Sequence, residues 1–154
     1  GAAALPAAAA PASELTWLPG WRLRQLMLAR QVSALQVTDH FLARTIHELQ
    51  AMDDYDTALL YVSDHGESLG EKGLYLHGVP YAIAPAEQTS VPMVMWFSQR
   101  FAASRGLDTQ CLAQRARQRT DHDVLFSSLL GLMQVKTQAY DPTQDVFASC
   151  MKAA

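Results

Sequence analysis

The stretch Ala58-Leu59-Leu60-Tyr61-Val62-Ser63-Asp64-His65-Gly66-Glu67-Ser68-Leu69-Gly70-Glu71 decides how this chain is read. An unbroken apolar run stops at an Asp-His pair and gives way to a loop punctuated by glycine. Such a run, bounded by turn residues, predicts a strand buried on both faces, as in a parallel sheet. In open α/β sheets ligands sit just beyond the carboxyl ends of strands, which is where Asp64 and His65 fall. A carboxylate oxygen and a neutral imidazole are both zinc donors. On residue types alone, an Asp-His pair after a strand is more often a capping or hydrogen-bonding pair than a metal site. Twelve residues after His65, His77 arrives in Tyr75-Leu76-His77-Gly78, near enough in sequence to fold back over the same strand end. Gly66, Gly70 and Gly73 do not match the G-x-x-x-x-G-K-[ST] phosphate loop, and their expected work is to let the chain turn sharply.

Outward from this stretch, strands alternate with helices, which predicts the α/β class. The Pro19-Gly20 turn predicts an amphipathic helix over residues 21–34, where Leu23, Leu26, Met27 and Leu28 lie among Arg22, Arg24 and Arg30. Leu35, Leu42, Ile46 and Leu49 recur at helical spacing until Asp53, Asp54 and Asp56 break the pattern. A second strand is expected over residues 91–97, with Pro92 capping its start. Thr120 or Asp121 is the expected N-cap of a last helix that buries Val124, Leu125, Leu129 and Met133.

Composition narrows the function classes. With 154 residues, 49% of them hydrophobic and 18% charged, the chain can enclose one core. A formal net charge of −3 carries no electrostatic footprint for nucleic acid. Arg115, Arg117 and Arg119 read as a solvated helix face in preference to a site for anionic lipid or phosphate. His40 and His47 share one helical face without a third ligand nearby, which suits surface histidines. His122 beside a helix start suits capping or packing. No run reaches the ~20 apolar residues that span a bilayer. The opening Ala2-Ala3-Ala4-Leu5-Pro6-Ala7-Ala8-Ala9-Ala10-Pro11 reads as a flexible Ala/Pro linker, since it has no basic leader and prolines interrupt it.

Over a longer span the residues resemble a known family. Residues 60–71, then Gly73, Tyr75-Leu76-His77-Gly78, Pro80, Ala84-Pro85, Glu87-Gln88 and Val91-Pro92 closely resemble the lipid A phosphoethanolamine transferases. Downstream, His122-Asp123, Leu125-Phe126, Leu129-Leu130-Gly131-Leu132, Val135-Lys136-Thr137, Tyr140 and Asp145 follow the closing part of that family more loosely. There Asp121, Val124 and Ser127 replace the family's Ser, Asn and second His. Residues 38–49 resemble its helix before the Asp-His strand. The resemblance implies a partial sulfatase-like, alkaline-phosphatase-type α/β domain with a largely parallel sheet flanked by helices. It divides the chain into residues 1–36, unassigned, and residues 37–154, the carboxyl-terminal part of the catalytic domain.

The resemblance also implies a chemistry. Asp64 and His65 match adjacent zinc ligands, and His77 matches a histidine that faces the substrate phosphate or a second zinc. Phosphoethanolamine would pass from phosphatidylethanolamine to lipid A, a lipopolysaccharide modification tied to polymyxin resistance. The setting would be the periplasmic face of the bacterial inner membrane, reached through an amino-terminal membrane domain that this chain lacks. The family's nucleophilic threonine and glutamate ligand belong to earlier segments, and residues 1–36 offer no counterpart. Thr38, Thr45, Thr57 and Thr89 stand outside the nucleophile's context, so none is assigned that role. The expectation is therefore a fragment inactive by itself. The alternatives are a non-catalytic remnant or a piece of a related phosphohydrolase or sulfatase. Glu67 is expected to accept hydrogen bonds from loop amides. Periplasmic residence would favour pairing of Cys111 with Cys150, although two unrelated thiols are the alternative.

Overall fold

A computed structural model describes residues 18–29 and 33–152. The Ala/Pro opening lies outside the described residues. Two compact units, Gly1–Tyr55 and Asp56–Ala154, divide the chain at the acidic break before the apolar run. That packing boundary differs from the division at residue 36, which marks where the motif resemblance begins.

In the first unit, α1 spans Gly20–Leu28 and α2 spans Ala34–Gln50. The helix expected to run to residue 34 thus stops at Leu28. Ser33 starts a new one: its hydroxyl accepts from the Gln36 amide while the Gln36 side chain accepts from the Ser33 amide. This reciprocal box satisfies two amides that a helix start otherwise leaves bare. Leu26 is buried here, packed by Leu18, Leu23 and Val37.

The second unit is built on β1, Ala58–Val62, and β4, Met93–Phe97, which pair antiparallel from Ala58–Phe97 to Val62–Met93. Between them lie the two-residue strands β2, Ser68–Leu69, and β3, Tyr75–Leu76, also antiparallel, and the short helix α3, Ala86–Thr89. The α/β class holds, but the strand pairing corrects the expected largely parallel sheet. Residues 63–92 carry the β2–β3 hairpin and the four-residue α3 in place of the crossover helix that usually joins parallel neighbours. The apolar run is half-buried at every position instead of buried on both faces.

Ser98 ends β4, exchanges hydrogen bonds with Thr57, and caps α4, Gln99–Arg105, through the Phe101 amide. Gly106 closes that helix with a left-handed φ of 66°, and the Leu107 amide returns to Ala102. Asp108 then caps α5, Thr109–Arg115. Cys111 on α5 is bonded to Cys150 with Cα atoms 5.5 Å apart, which ties α5 to the last residues described.

The core gathers Phe101, Leu107, Leu132 and Phe147 over Ala58 and Leu60 of β1 and Met95 and Phe97 of β4, one face of the two-stranded sheet. Leu132 comes from α6, Val124–Leu132. Asp123, not Thr120 or Asp121, holds the N-cap position of α6 and makes no side-chain cap, while Asp121 accepts from the Asp123 amide. The buried face also differs from expectation. Leu129 and Met133 are largely exposed, whereas Ser127 and Ser128 are buried. Their hydroxyls accept from the amides of Asp141 and Val146, so the two buried hydroxyls find partners. Ser127 therefore has a polar task.

Candidate active site

β1 delivers its last side chains to a loop whose shape follows from a few short contacts. The Ser63 hydroxyl donates to the His65 carbonyl at 2.8 Å. Asp64 Oδ1 accepts from the His65 amide at 3.1 Å, which orients the carboxylate along the loop. His65 Nδ1 lies 2.8 Å from the Gly66 carbonyl. A carbonyl only accepts, so Nδ1 carries the proton and the neutral ring keeps its lone pair on Nε2. That atom stands 3.8 Å from Asp64 Oδ2.

His77 reaches the same place from the far side of the β2–β3 hairpin. Its ring centroid lies 4.0 Å from that of His65, with the planes tilted by 36°. Nδ1 donates to Glu67, at 3.2 and 3.3 Å from the two carboxylate oxygens. Glu67 is thus an imidazole partner and does not accept from loop amides as expected. Glu71 takes the amide role: its Oε2 accepts from the Leu69 amide at 2.7 Å. Backbone hydrogen bonds to its own amide and that of Leu69 hold the Glu71 carboxyl below the ordinary range. Leu76, with φ of 66°, and Gly78, with φ of 95°, are both left-handed and flank His77, an unusual backbone that sets the direction of its ring.

Ser68, Gln88 and His122, to which sequence reading assigns no role at this loop, hold it down. The Gly66 amide donates to the Gln88 carbonyl, and Gln88 Nε2 donates to the buried Ser68 hydroxyl at 2.8 Å. A Cβ on Gly66 would run into the Glu87 carbonyl, so only glycine allows this approach. His122, 59 residues away in sequence, places Nε2 2.7 Å from the Ser63 carbonyl. The signal for Gln88 lay inside the Glu87-Gln88 motif. Nothing local could have connected His122 to Ser63.

The arrangement offers two donors to a metal. A tetrahedral zinc with bonds of ~2.0–2.1 Å sets neighbouring donor atoms about 3.3 Å apart. Asp64 Oδ2 and His65 Nε2, 3.8 Å apart, need little adjustment to meet that spacing. The Asp64 carboxylate is 88% exposed, so nothing nearby stands between it and an ion. Among the described residues, no group of three or more His, Cys, Asp or Glu side chains is arranged to hold a metal. His40 and His47 lie on α2 in the other unit. Thr45 and Thr89 donate their hydroxyls to the Phe41 and Pro85 carbonyls. Of the three arginines only Arg115 belongs to α5; it donates to Ser149, and Arg119 donates to Ser90. Among the described residues no helix is long and apolar enough to cross a membrane.

Residues 9–135 match the sulfatase family. The match takes in much of the segment that offered no recognisable motif. Phosphoethanolamine transferase EptA of Escherichia coli (strain K12) is 42% identical over 124 residues, 79% of this chain and 23% of that protein. The chain thus spans about a quarter of that relative's length. The crystal structure of the soluble domain of lipooligosaccharide phosphoethanolamine transferase A from Neisseria meningitidis is 48% identical, with a TM-score of 0.73. That likeness covers 77% of this chain and 36% of the other. The C-terminal periplasmic domain of phosphoethanolamine transferase EptC from Campylobacter jejuni is 33% identical, with a TM-score of 0.69 over 94% of this chain and 48% of that one.

Proposed function

Because this chain belongs to the sulfatase family, we propose that it supplies the Asp-His strand end of a zinc-dependent phosphoethanolamine transferase. The donor would be phosphatidylethanolamine and the acceptor lipid A, at the periplasmic face of the bacterial inner membrane. This modification of lipopolysaccharide is the one tied to polymyxin resistance. One observation carries the reading: Asp64, His65 and His77, separated by a glycine loop, meet at the end of β1. The names and identities of the relatives support it.

In this reading Asp64 Oδ2 and His65 Nε2 bind the metal. The Gly66 carbonyl holds the His65 tautomer that leaves Nε2 free. His77, with Nδ1 committed to Glu67, keeps Nε2 for a phosphate oxygen or a second zinc. Zinc bound there would lower the pKa of a hydroxyl nucleophile and neutralise charge on phosphoryl oxygens. Catalytic zinc sites usually hold three protein ligands and one open position. With two, the 154-residue chain is expected to bind zinc weakly and not to turn over.

A graft tests the function. The matched stretch of this chain replaces its counterpart in the Escherichia coli relative, and lipid A is analysed by mass spectrometry. Phosphoethanolamine-bearing lipid A that disappears with His65→Ala in the graft is the expected result. Undiminished modification in both the Asp64→Ala and His65→Ala grafts would overturn it. Stoichiometric zinc and turnover in the isolated chain would overturn the expectation of inactivity.

A further inference from the structure

The β1–β4 ladder ends at Val62, two residues before Asp64, and the cause is a proline. The Ser98 amide donates to the Thr57 carbonyl, so Thr57 and Ser98 form a hydrogen-bonded pair of the antiparallel register. Hydrogen-bonded pairs alternate along such a ladder. The next are therefore Leu59 with Trp96 and Tyr61 with Val94. One step further, Ser63 faces Pro92, where the Ser63 carbonyl would accept from the amide of residue 92. Proline has no N–H. The carbonyl of the residue that launches Asp64 is thus denied its ladder donor.

His122 fills that vacancy. Its Nε2 lies 2.7 Å from the Ser63 carbonyl, and since the carbonyl only accepts, Nε2 carries the hydrogen. His122 sits in the turn just ahead of α6, where its own carbonyl accepts from the Leu125 amide. α6 is in turn fixed by Leu132 in the core and by the buried hydroxyls of Ser127 and Ser128. The donor therefore hangs from a rigid element. We propose that His122 is a positioning residue that replaces the missing amide of residue 92 and so fixes the direction in which Asp64 and His65 leave β1. It clamps the carbonyl of Ser63 while the hydroxyl of the same residue clamps the His65 carbonyl. The consequence for metal binding rests on the reading of Asp64 and His65 as zinc ligands; the clamp does not.

The test compares the 154-residue chain with His122→Ala, His122→Gln and the double variant Pro92→Ala/His122→Ala by NMR. In the parent chain the imidazole of His122 should show the Nε2–H tautomer. Amide order parameters at Ser63, Asp64, His65 and Gly66 should sit near the rigid value of about 0.85 and fall below ~0.6 in His122→Ala. His122→Gln, whose amide nitrogen can donate to the same carbonyl, should restore them. Pro92→Ala in the double variant should restore them as well, because residue 92 regains its own N–H. A merely structural histidine would not be rescued by a substitution at residue 92. Zinc titrations followed on the Asp64 and His65 signals should show about tenfold to hundredfold weaker binding in His122→Ala, and recovery in the two rescued forms. Unchanged loop order in His122→Ala, or a double variant as disordered as the single one, would overturn the proposal. If zinc affinity is the same in His122→Ala as in the parent chain while the order parameters behave as described, the consequence for the metal fails and the clamp stands.

Discussion

The rings of His65 and His77 lie 4.0 Å apart, centroid to centroid, although a hairpin with four positive-φ residues, Gly70, Lys72, Gly73 and Leu76, separates them in the chain. Each ring has one nitrogen already engaged, His65 with the Gly66 carbonyl and His77 with Glu67. The remaining nitrogens are the ones a metal and a phosphate would use. This division of labour predicts different losses on substitution.

In the graft described above, His65→Ala should lose both zinc and phosphoethanolamine transfer. His77→Ala should lose most transfer while retaining most of the zinc, since its Nδ1 is spent on a carboxylate. Metal analysis beside lipid A mass spectrometry separates the two. Equal zinc loss in both variants would place His77 among the primary ligands.

Gly66→Ala should destabilise the second unit by about 1–3 kcal/mol, the usual cost of forcing a group into a filled space. The new Cβ meets the Glu87 carbonyl and would also strain the bond from the Gly66 amide to Gln88. Urea unfolding should show a lower midpoint with an unchanged slope. A midpoint equal to that of the parent chain would mean that the loop does not approach Glu87 closely in solution.

Reducing the Cys111–Cys150 bond should lower stability by roughly 4 kcal/mol in the chain-entropy account of a loop of this size. The bond spans 39 positions, and its loss leaves the last described residues held to this region by non-covalent contacts alone, such as the hydrogen bonds from the Asp108 amide to the Cys150 carbonyl and from Arg115 to Ser149. Chemical denaturation with and without a reductant measures the difference. Cys150→Ser should reproduce the reduced behaviour.

Acid should loosen the hairpin that carries His77. The Glu71 carboxyl is held below its ordinary value by backbone hydrogen bonds, first to its own amide and then to that of Leu69. A depressed folded-state pKa stabilises above the unfolded value, about 4.3 for glutamate, and that contribution fades as pH falls through the folded pKa. Amide exchange at Leu69 should therefore quicken below about pH 4 relative to neighbouring loops. Glu71→Gln should show a weakened but pH-independent protection at the same amide.

Much of the local structure was legible in the residues. The apolar run ending at Asp64, the strand near residues 93–97 and the helix over residues 35–49 each follow from side-chain spacing, which a single element records in full. Glycine at residue 66 marked a tight place, although its reason, the Glu87 carbonyl, lies twenty-one residues on. Tertiary structure decided the rest. The antiparallel direction of β1 and β4 is a choice of partner, and an apolar run suits either direction. On α6 the spacing of Leu129 and Met133 suggested a core face, yet Ser127 and Ser128 turn inward instead, where the amides of Asp141 and Val146 satisfy their hydroxyls. Glu67 went to His77 because hairpin closure brought an imidazole within reach. His122 meets Ser63 across 59 residues because Pro92 leaves a carbonyl without a donor. Sequence periodicity reports which side chains share a face; the partners of individual polar atoms depend on which donors the folded chain leaves unused.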